Sequence, residues 1–597
     1  MASKKAEKTP RGARKKASGK RKKALREEAS AAEAPEEQPK PAKKRRCVRA
    51  SGRAEKAIRS GEASAAAARE RPRPAKRKRR RAEDGHGDEP RELEGPIKRS
   101  ERAIWAASVR LEAPKLAVEA TLQPRRLWTP EQELRRLSAV KALRSKLVRL
   151  VTEHNLGKTS VKPPVLTFER WLARWALRRD PAKHAEPIIP ADGLEDGGLV
   201  RDLERTMPSE AAQAVCAALS SAAATAAAKL EEVQPSLEKV CEQMPEAVSA
   251  LRSLASAARQ TPSRSTMGEL ASAADKLRAL ALQGVAAAAQ AEARSSGDGA
   301  AGSRASGVSV SSSRRQGYLD LSVSGAKLYL SITTAHYAKM RRLFGRHGAG
   351  ANAGQSSADD VFHDRLFCCL ARYETLKGAG YQCAVPGAAF DAVRPLLGDT
   401  IECFASPLNC RYERFCSAFG TLESDFGSLG SFFEFEPRCG SFEANPPFVP
   451  EVMDAMVDRI ERLLSDEERG PLSFLVVVPA WGAGVRTCRS LERSRHRRAH
   501  GSIPAASHCF CDGAQHNVAS EGDRHRPSSW DTAVTLLQNE RGARRWPLDD
   551  AGLSSSFIAA MCGSRTEATP SLEEWENRGP ARGGKQHRGS WDAAQKK

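Results

Sequence analysis

The stretch FEANPPFVPE contains Asn445-Pro446-Pro447-Phe448, which groups the residue types needed to hold a planar amino group. An Asn side-chain carbonyl and the backbone carbonyl of the following Pro can each accept a hydrogen bond from one exocyclic amine, while a Phe face stacks on the ring that carries it. Two successive prolines fix φ and hold the preceding residues extended, so the acceptors are in place before a substrate arrives. An amine held in this way turns its lone pair toward an electrophile. Methyl transfer from a sulfonium donor then needs no strong base, because the proton can leave afterwards. A plain Pro-Pro turn at a helix start is the structural alternative, and the flanking elements decide between the two.

Those elements spell strand, motif, helix, strand. Residues 449–468 place Met453, Met456, Val457, Ile460, Leu463 and Leu464 at helical spacing, with Pro450 in the first turn. LSFLVVVPAW (472–481) is a continuous apolar run of the kind buried on both faces of a parallel sheet. The motif therefore sits in a βαβ crossover, at the strand end where open α/β sheets bind ligands. DTIECFASPLN (399–409) reads as a strand entering a Pro-containing loop, and GSFFEFEP and DTAVTLLQN as further strands.

A donor site belongs on a neighbouring strand's loop, and IECFASPLN is the candidate. Its strand carries the acid Glu402; Phe404, Ala405 and Ser406 let backbone approach a ligand, and Asn409 can meet a carboxylate. Donor ribose hydroxyls call for an acid, either Asp425, about twenty residues on, or Glu434 in FFEFEP; spacing does not choose between them.

The rest of the chain sets this region in context. Of the net charge of +24, residues 1–100 supply +18, from 33 Lys/Arg against 15 Asp/Glu. That tail is low in apolar residues and reads as disordered, a polyanion-binding segment with nuclear import character in RPRPAKRKRRR (71–81). Residues 101–345 read as a helical domain. It starts with a helix from Thr129-Pro130 to Gly157 and a second from Phe168 carrying Trp171 and Trp175, with Arg135, Arg136, Arg170 and Arg174 as conceivable phosphate contacts. An Ala-rich insert and a Gly/Ser-rich linker occupy about 209–317, before a hairpin in YLDLSVSGAKLYLSI. Residues 359–545 form the α/β domain, and 546–597 read as a fraying tail. No run of eighteen apolar residues and no hydrophobic leader occur, so no membrane partner is expected. The fourteen cysteines include no CxxC pair, and HCFC at 508–511 lacks a second ligand pair, so no metal site is expected.

The amino methyltransferases that carry an (Asp/Asn)-Pro-Pro-aromatic motif share this logic. Within them, ECFASPLN, FCSAF (415–419), GSFEANPPF (440–448), MDAM (453–456), PLSF (471–474) and TAVTLLQN (532–539) resemble the phosphorylated CTD-interacting factor family, the cap-specific adenosine N6-methyltransferases. The resemblance covers about 361–539. It implies a Rossmann-type, S-adenosylmethionine-dependent methyltransferase domain beside a helical domain, acting on N6 of the 2'-O-methyladenosine next to the m7G cap of mRNA in the nucleus. It implies that Asn445 and Pro446 hold the amino group, Phe448 stacks on adenine, the loop 402–409 touches the donor and Trp481 borders the pocket. The motif alone also admits internal RNA or DNA adenine, and a non-catalytic nucleic-acid binder is a third reading. Trp105 and Trp128 are spaced loosely like a WW pair, but the Tyr-Tyr and terminal Pro pattern is missing, so a chain without the family's WW domain and its RNA polymerase II contact is expected. Trp530-Asp531 stands where the family pattern has His-Asn.

Overall fold

The computed structural model describes residues 104–106, 128–154, 163, 166–180, 183–232, 307–348, 355–377, 379–518, 520 and 522–565. The basic tail, the Ala-rich segment beyond 232, most of the Gly/Ser linker and the chain after 565 lie outside these residues.

A six-stranded sheet organises the α/β region: β4 (Thr400–Ala405), β5 (Phe415–Ser417), β6 (Gly440–Ala444), β7 (Leu472–Pro479), β8 (Arg497–Ile503) and β11 (Thr532–Gln538), while β9 (Cys509–Cys511) and β10 (His525–Pro527) pair in a separate two-stranded ribbon. Its order is β5-β4-β6-β7-β11-β8. The first four run parallel, while β11 is antiparallel to both β7 and β8. The chain leaves β4 for one side with β5 and returns to the other with β6. The carboxyl ends of β4 and β6 therefore flank the switch point, the crevice where such sheets take ligands. All eight residues of β7 are buried, as its unbroken apolar run requires.

Helix α8 (Pro450–Ser465) covers one face of the sheet. Pro450 opens it without losing a hydrogen bond, and Met453, Met456, Val457, Ile460, Leu463 and Leu464 form its buried stripe with Phe442 and Phe474. Helix α7 (Gly387–Leu397) covers the other face with Phe390 and Val393 against Val477 and Val534.

The preceding helices pack together through α1 (Pro130–His154), α2 (Thr167–Arg178), α3 (Gly197–Leu203), α4 (Ser209–Glu232) and α6 (Gln355–Leu376). Between α4 and α6 lie a three-stranded sheet, β1 (Val308–Ser312), β2 (Tyr318–Val323) and β3 (Tyr329–Thr333), and α5 (Thr334–His347). Trp171 and Trp175 are core residues. Arg136 is buried between Glu133 and Glu186, Arg170 pairs with Asp202 at 2.7 Å and Arg174 with Asp196 at 2.6 Å, so their guanidiniums are held by carboxylates; Arg135 alone of the four is exposed.

Several expectations change. Residues 308–312, assigned to the linker, form β1, whose backbone pairs with β2 despite its serine-rich sequence. GSFFEFEP makes turns rather than a strand, because Phe432 and Phe435 both turn into the α8 side of the core. Residues 546–565 do not fray. A helical run over 550–563 buries Leu553, Phe557 and Met561, spaced four apart, against α7 and β8. Helix α4 is long and apolar enough to cross a membrane by length and composition. One face of it, carrying Val215, Cys216, Leu219 and Ala223, is buried against the helical cluster.

Candidate active site

Asn445 is the first residue after β6, and the prolines that follow cannot extend the ladder. Its Nδ2–H donates to the Cys383 carbonyl at 2.9 Å, which fixes the amide plane. No described residue donates to its Oδ1. Pro447 spends its carbonyl on Val449 N–H at 2.6 Å, a tight turn into α8, whereas Pro446 is buried beside Asn445. Phe448 is half-buried and stands edge-to-face with Phe510 at 6.1 Å. The anchored Asn445 amide, the buried Pro446 and the half-buried Phe448 ring thus follow one another at the end of β6. Cys383 lies beside them, but burial pushes its thiol up to about 12, so it is a carbonyl anchor and not a nucleophile.

The loop after β4 builds the second half. Asn409 Oδ1 accepts from Ser406 N–H at 2.7 Å and from Ser406 Oγ–H at 2.9 Å, and its Nδ2–H donates to the Gln382 carbonyl at 2.9 Å. A cleft opens here at the carboxyl end of β4. It is lined by Phe404, Ala405, Ser406 and Asn409 from that strand and loop, Ser417 and Ala418 after β5, Ser431 and Phe433, Tyr381, Pro447 of the motif, and Glu169 and Ala173 of α2. Gly420 lets the far wall close: a Cβ there would lie 2.5 Å from Gly430 Cα.

The structure redistributes the expected donor residues. Phe404, Ala405 and Ser406 line the cleft. Asn409 lines it too, but its amide is committed to the turn, so it shapes the loop rather than offering a free group to a carboxylate. Glu402 does not line the cleft; it is buried and accepts from Arg411 N–H at 2.6 Å. Asp425 is buried and ion-paired with Arg365 at 3.2 Å, and Glu434 is exposed; neither lines the cleft, because the chain between β5 and β6 folds into turns that carry both away. The acid that does line it is Glu169, paired with Arg144. It comes from α2, about 230 residues before β4, and no local motif marks it.

Trp481 follows β7 and packs on the same cluster as Phe448, edge-to-face with Trp530 at 5.9 Å. The sequence also gave no warning of a buried carboxyl pair. Glu402 and Glu443 are register partners on β4 and β6. Burial pushes Glu402 up to about 7, and burial with the neighbouring Glu402 charge raises Glu443 further, so this pair holds protons rather than two charges beneath Asn445.

Residues 339–513, which include both β4 and the Asn-Pro-Pro-Phe turn, match the family model described as "Phosphorylated CTD interacting factor 1 WW domain". Over 197 residues the chain is 41% identical to an mRNA (2'-O-methyladenosine-N(6)-)-methyltransferase of Homo sapiens, and 40% identical to the protein of the same name from Mus musculus. The aligned segment is homologous to an mRNA methyltransferase. It takes in 32% of this chain and 28% of each relative, so the chain spans less than a third of the length of the curated relatives it matches. The expectation of a chain without the WW-domain signature is overturned by the family match, which falls on the α/β residues. Trp105 and Trp128 could not have revealed it. Both are core residues, Trp128 lying under the Arg372 guanidinium at 4.2 Å.

Proposed function

We propose that this chain is an S-adenosylmethionine-dependent methyltransferase, with a Rossmann-type catalytic domain and a helical domain, that methylates N6 of the 2'-O-methyladenosine next to the m7G cap of mRNA. The observation that carries the reading is the anchored Asn445 carboxamide at the switch point, its Nδ2–H bonded to the Cys383 carbonyl and its Oδ1 without a donor among the described residues, with Pro446 next in the chain. The two relatives named for that reaction support it.

The cleft fits the donor by its chemistry: Phe404, Phe433 and Ala173 give apolar walls for a nucleoside, while Ser406, Ser431, Tyr381 and Glu169 offer polar groups for its hydroxyls and amino acid portion. When bound, the donor supplies an electrophilic methyl group on sulfur. Asn445 and Pro446 accept hydrogen bonds from the adenine amine and aim its lone pair, and Phe448 stacks on the ring and keeps water out. Pro447 lines the donor cleft, so the motif touches both ligands.

A second, open groove lies against the start of α8, between Arg174 and Arg178 of α2, Glu195, Arg201 and Glu451. Its exposed acid Glu195 suits a positively charged methylated guanine, and the exposed Arg178, the one arginine named here that no carboxylate holds among the described residues, suits a bridging phosphate. The basic segment 1–100 adds sequence-independent, salt-sensitive affinity for RNA and directs the protein to the nucleus.

The test is transfer of labelled methyl from S-adenosylmethionine to m7G-capped RNA beginning with A or with G, and to the same A-RNA without a cap. Label in the capped A-RNA alone is expected. Equal label in A- and G-RNA refutes the reading, and equal label with and without the cap moves the substrate to internal adenines.

A further inference from the structure

We propose that Trp530 is a stacking platform for the base of the nucleotide that follows the target adenosine, and so sets the enzyme's preference for polynucleotide over cap-only substrates. This rests on the reading above and adds to it a residue outside the Asn-Pro-Pro-Phe turn.

Trp530 is 53% exposed, whereas Trp105, Trp128, Trp171 and Trp175 are all buried. Its exposure is not looseness. Ser528 Oγ–H donates to the Trp530 carbonyl at 2.7 Å and accepts from its N–H at 3.3 Å. The next residue, Asp531, accepts from Ala480 N–H through its carbonyl at 2.8 Å and from Ala505 N–H through its carboxylate at 2.8 Å. Trp481 braces the indole from the side, the two rings lying at 88°. A rigid aromatic face left in water at a held backbone is the construction that single-stranded nucleic-acid sites use, since every base has a π-face and little side-chain entropy remains to be lost.

Its position selects the occupant. Thr532 pairs with Pro479, so the turn before β11 lies at the same sheet end as the carboxyl termini of β6 and β7. Trp481, which touches Trp530, shares the cluster of Phe448. In the sheet order, the donor cleft and α2 lie on the β4 side of β6, and Trp530 lies on the β7–β11 side. A strand whose adenine stands on Phe448 and whose cap lies toward α2 leaves the site over Trp530.

The experiment compares the wild type, Trp530→Ala and Trp530→Phe on m7G-capped RNAs that begin with A and carry either a base or an abasic sugar at the second position. For the wild type, KM is expected to be roughly five- to a hundredfold higher with the abasic RNA, the worth of one stacked base. In Trp530→Ala that ratio falls to about one, and Trp530→Phe restores part of it; the change is read in KM against kcat, with a thermal melt of each variant as the control for folding. A Trp530→Ala protein that keeps the wild-type ratio overturns the stacking role and leaves the cap reading standing. A wild type that methylates neither RNA overturns both.

Discussion

Replacing Asn445 by Ala separates the chemical from the structural role of the site, because the two differ greatly in size. The substitution deletes the 2.9 Å bond to the Cys383 carbonyl in a residue that is only 7% exposed. A net hydrogen bond contributes about 1 kcal/mol, and for a domain of this size that lowers the thermal midpoint by about 2–4 °C. Against a typical stability of about 5–15 kcal/mol, nearly all of the variant stays folded at 25 °C. Under the proposed function, the same substitution also removes one of the two carbonyl acceptors assigned to the amine as positive charge develops on it. Loss of one such preorganised group costs on the order of 10²–10³ in kcat, or about 3–4 kcal/mol. The assay is the initial rate of methyl transfer to m7G-capped RNA beginning with A at saturating donor, with a circular-dichroism melt of the same sample. The KM for the donor should hold, since Pro447 and not Asn445 lines the donor cleft. A variant that keeps more than about a fifth of kcat, or whose rate loss follows its melt, refutes the assignment of Asn445 as the amine acceptor.

Two further outcomes follow from the buried groups. Glu402 holds its proton to about pH 7 when folded, against 4.5 for an ordinary Glu, so the folded state carries an extra proton between those values and stability falls as pH rises from 4.5 to 7. Glu402→Gln should remove that slope, on the order of 3 kcal/mol, while its amide oxygen still accepts from Arg411 N–H; urea midpoints of both proteins at pH 5 and 8 measure it, and parallel pH dependence in the two would rule it out. Phe557→Ala empties a site in the cluster that joins the 550–563 helical run to α7 and β8, and should cost about 3–5 kcal/mol in urea unfolding; a loss below about 1 kcal/mol would mean that this segment is not part of the core.

The Asn-Pro-Pro-Phe turn and its flanking strands were legible because their signals are local. Proline stiffness, the period of Met453, Met456, Val457 and Ile460, and the apolar run of β7 all lie within thirty-five residues of Asn445. Misreadings arose where long-range packing overrode composition. The serines of 308–312 pair because β2 offers a ladder, and Phe432 and Phe435 look like strand residues but serve as plugs under α8. The stripe Leu553, Phe557, Met561 was audible in the sequence at helical spacing, yet the polar residues between them masked it.

From the sequence alone came the presence of a crossover with a rigid Asn-Pro-Pro-Phe turn, the neighbouring Pro-containing loop after β4 and the charge of the tail, since each depends on residue type and short spacing. Which acid lines the cleft was decided only by the fold. Asp425 and Glu434 were placed by their distance along the chain, but the turns between β5 and β6 send one to Arg365 and the other to solvent. Glu169 arrives from α2, and Glu443 meets Glu402 across a strand register. Contacts between residues dozens or hundreds of positions apart leave no period or motif to read, because they are set by how helices and strands bury their apolar faces together.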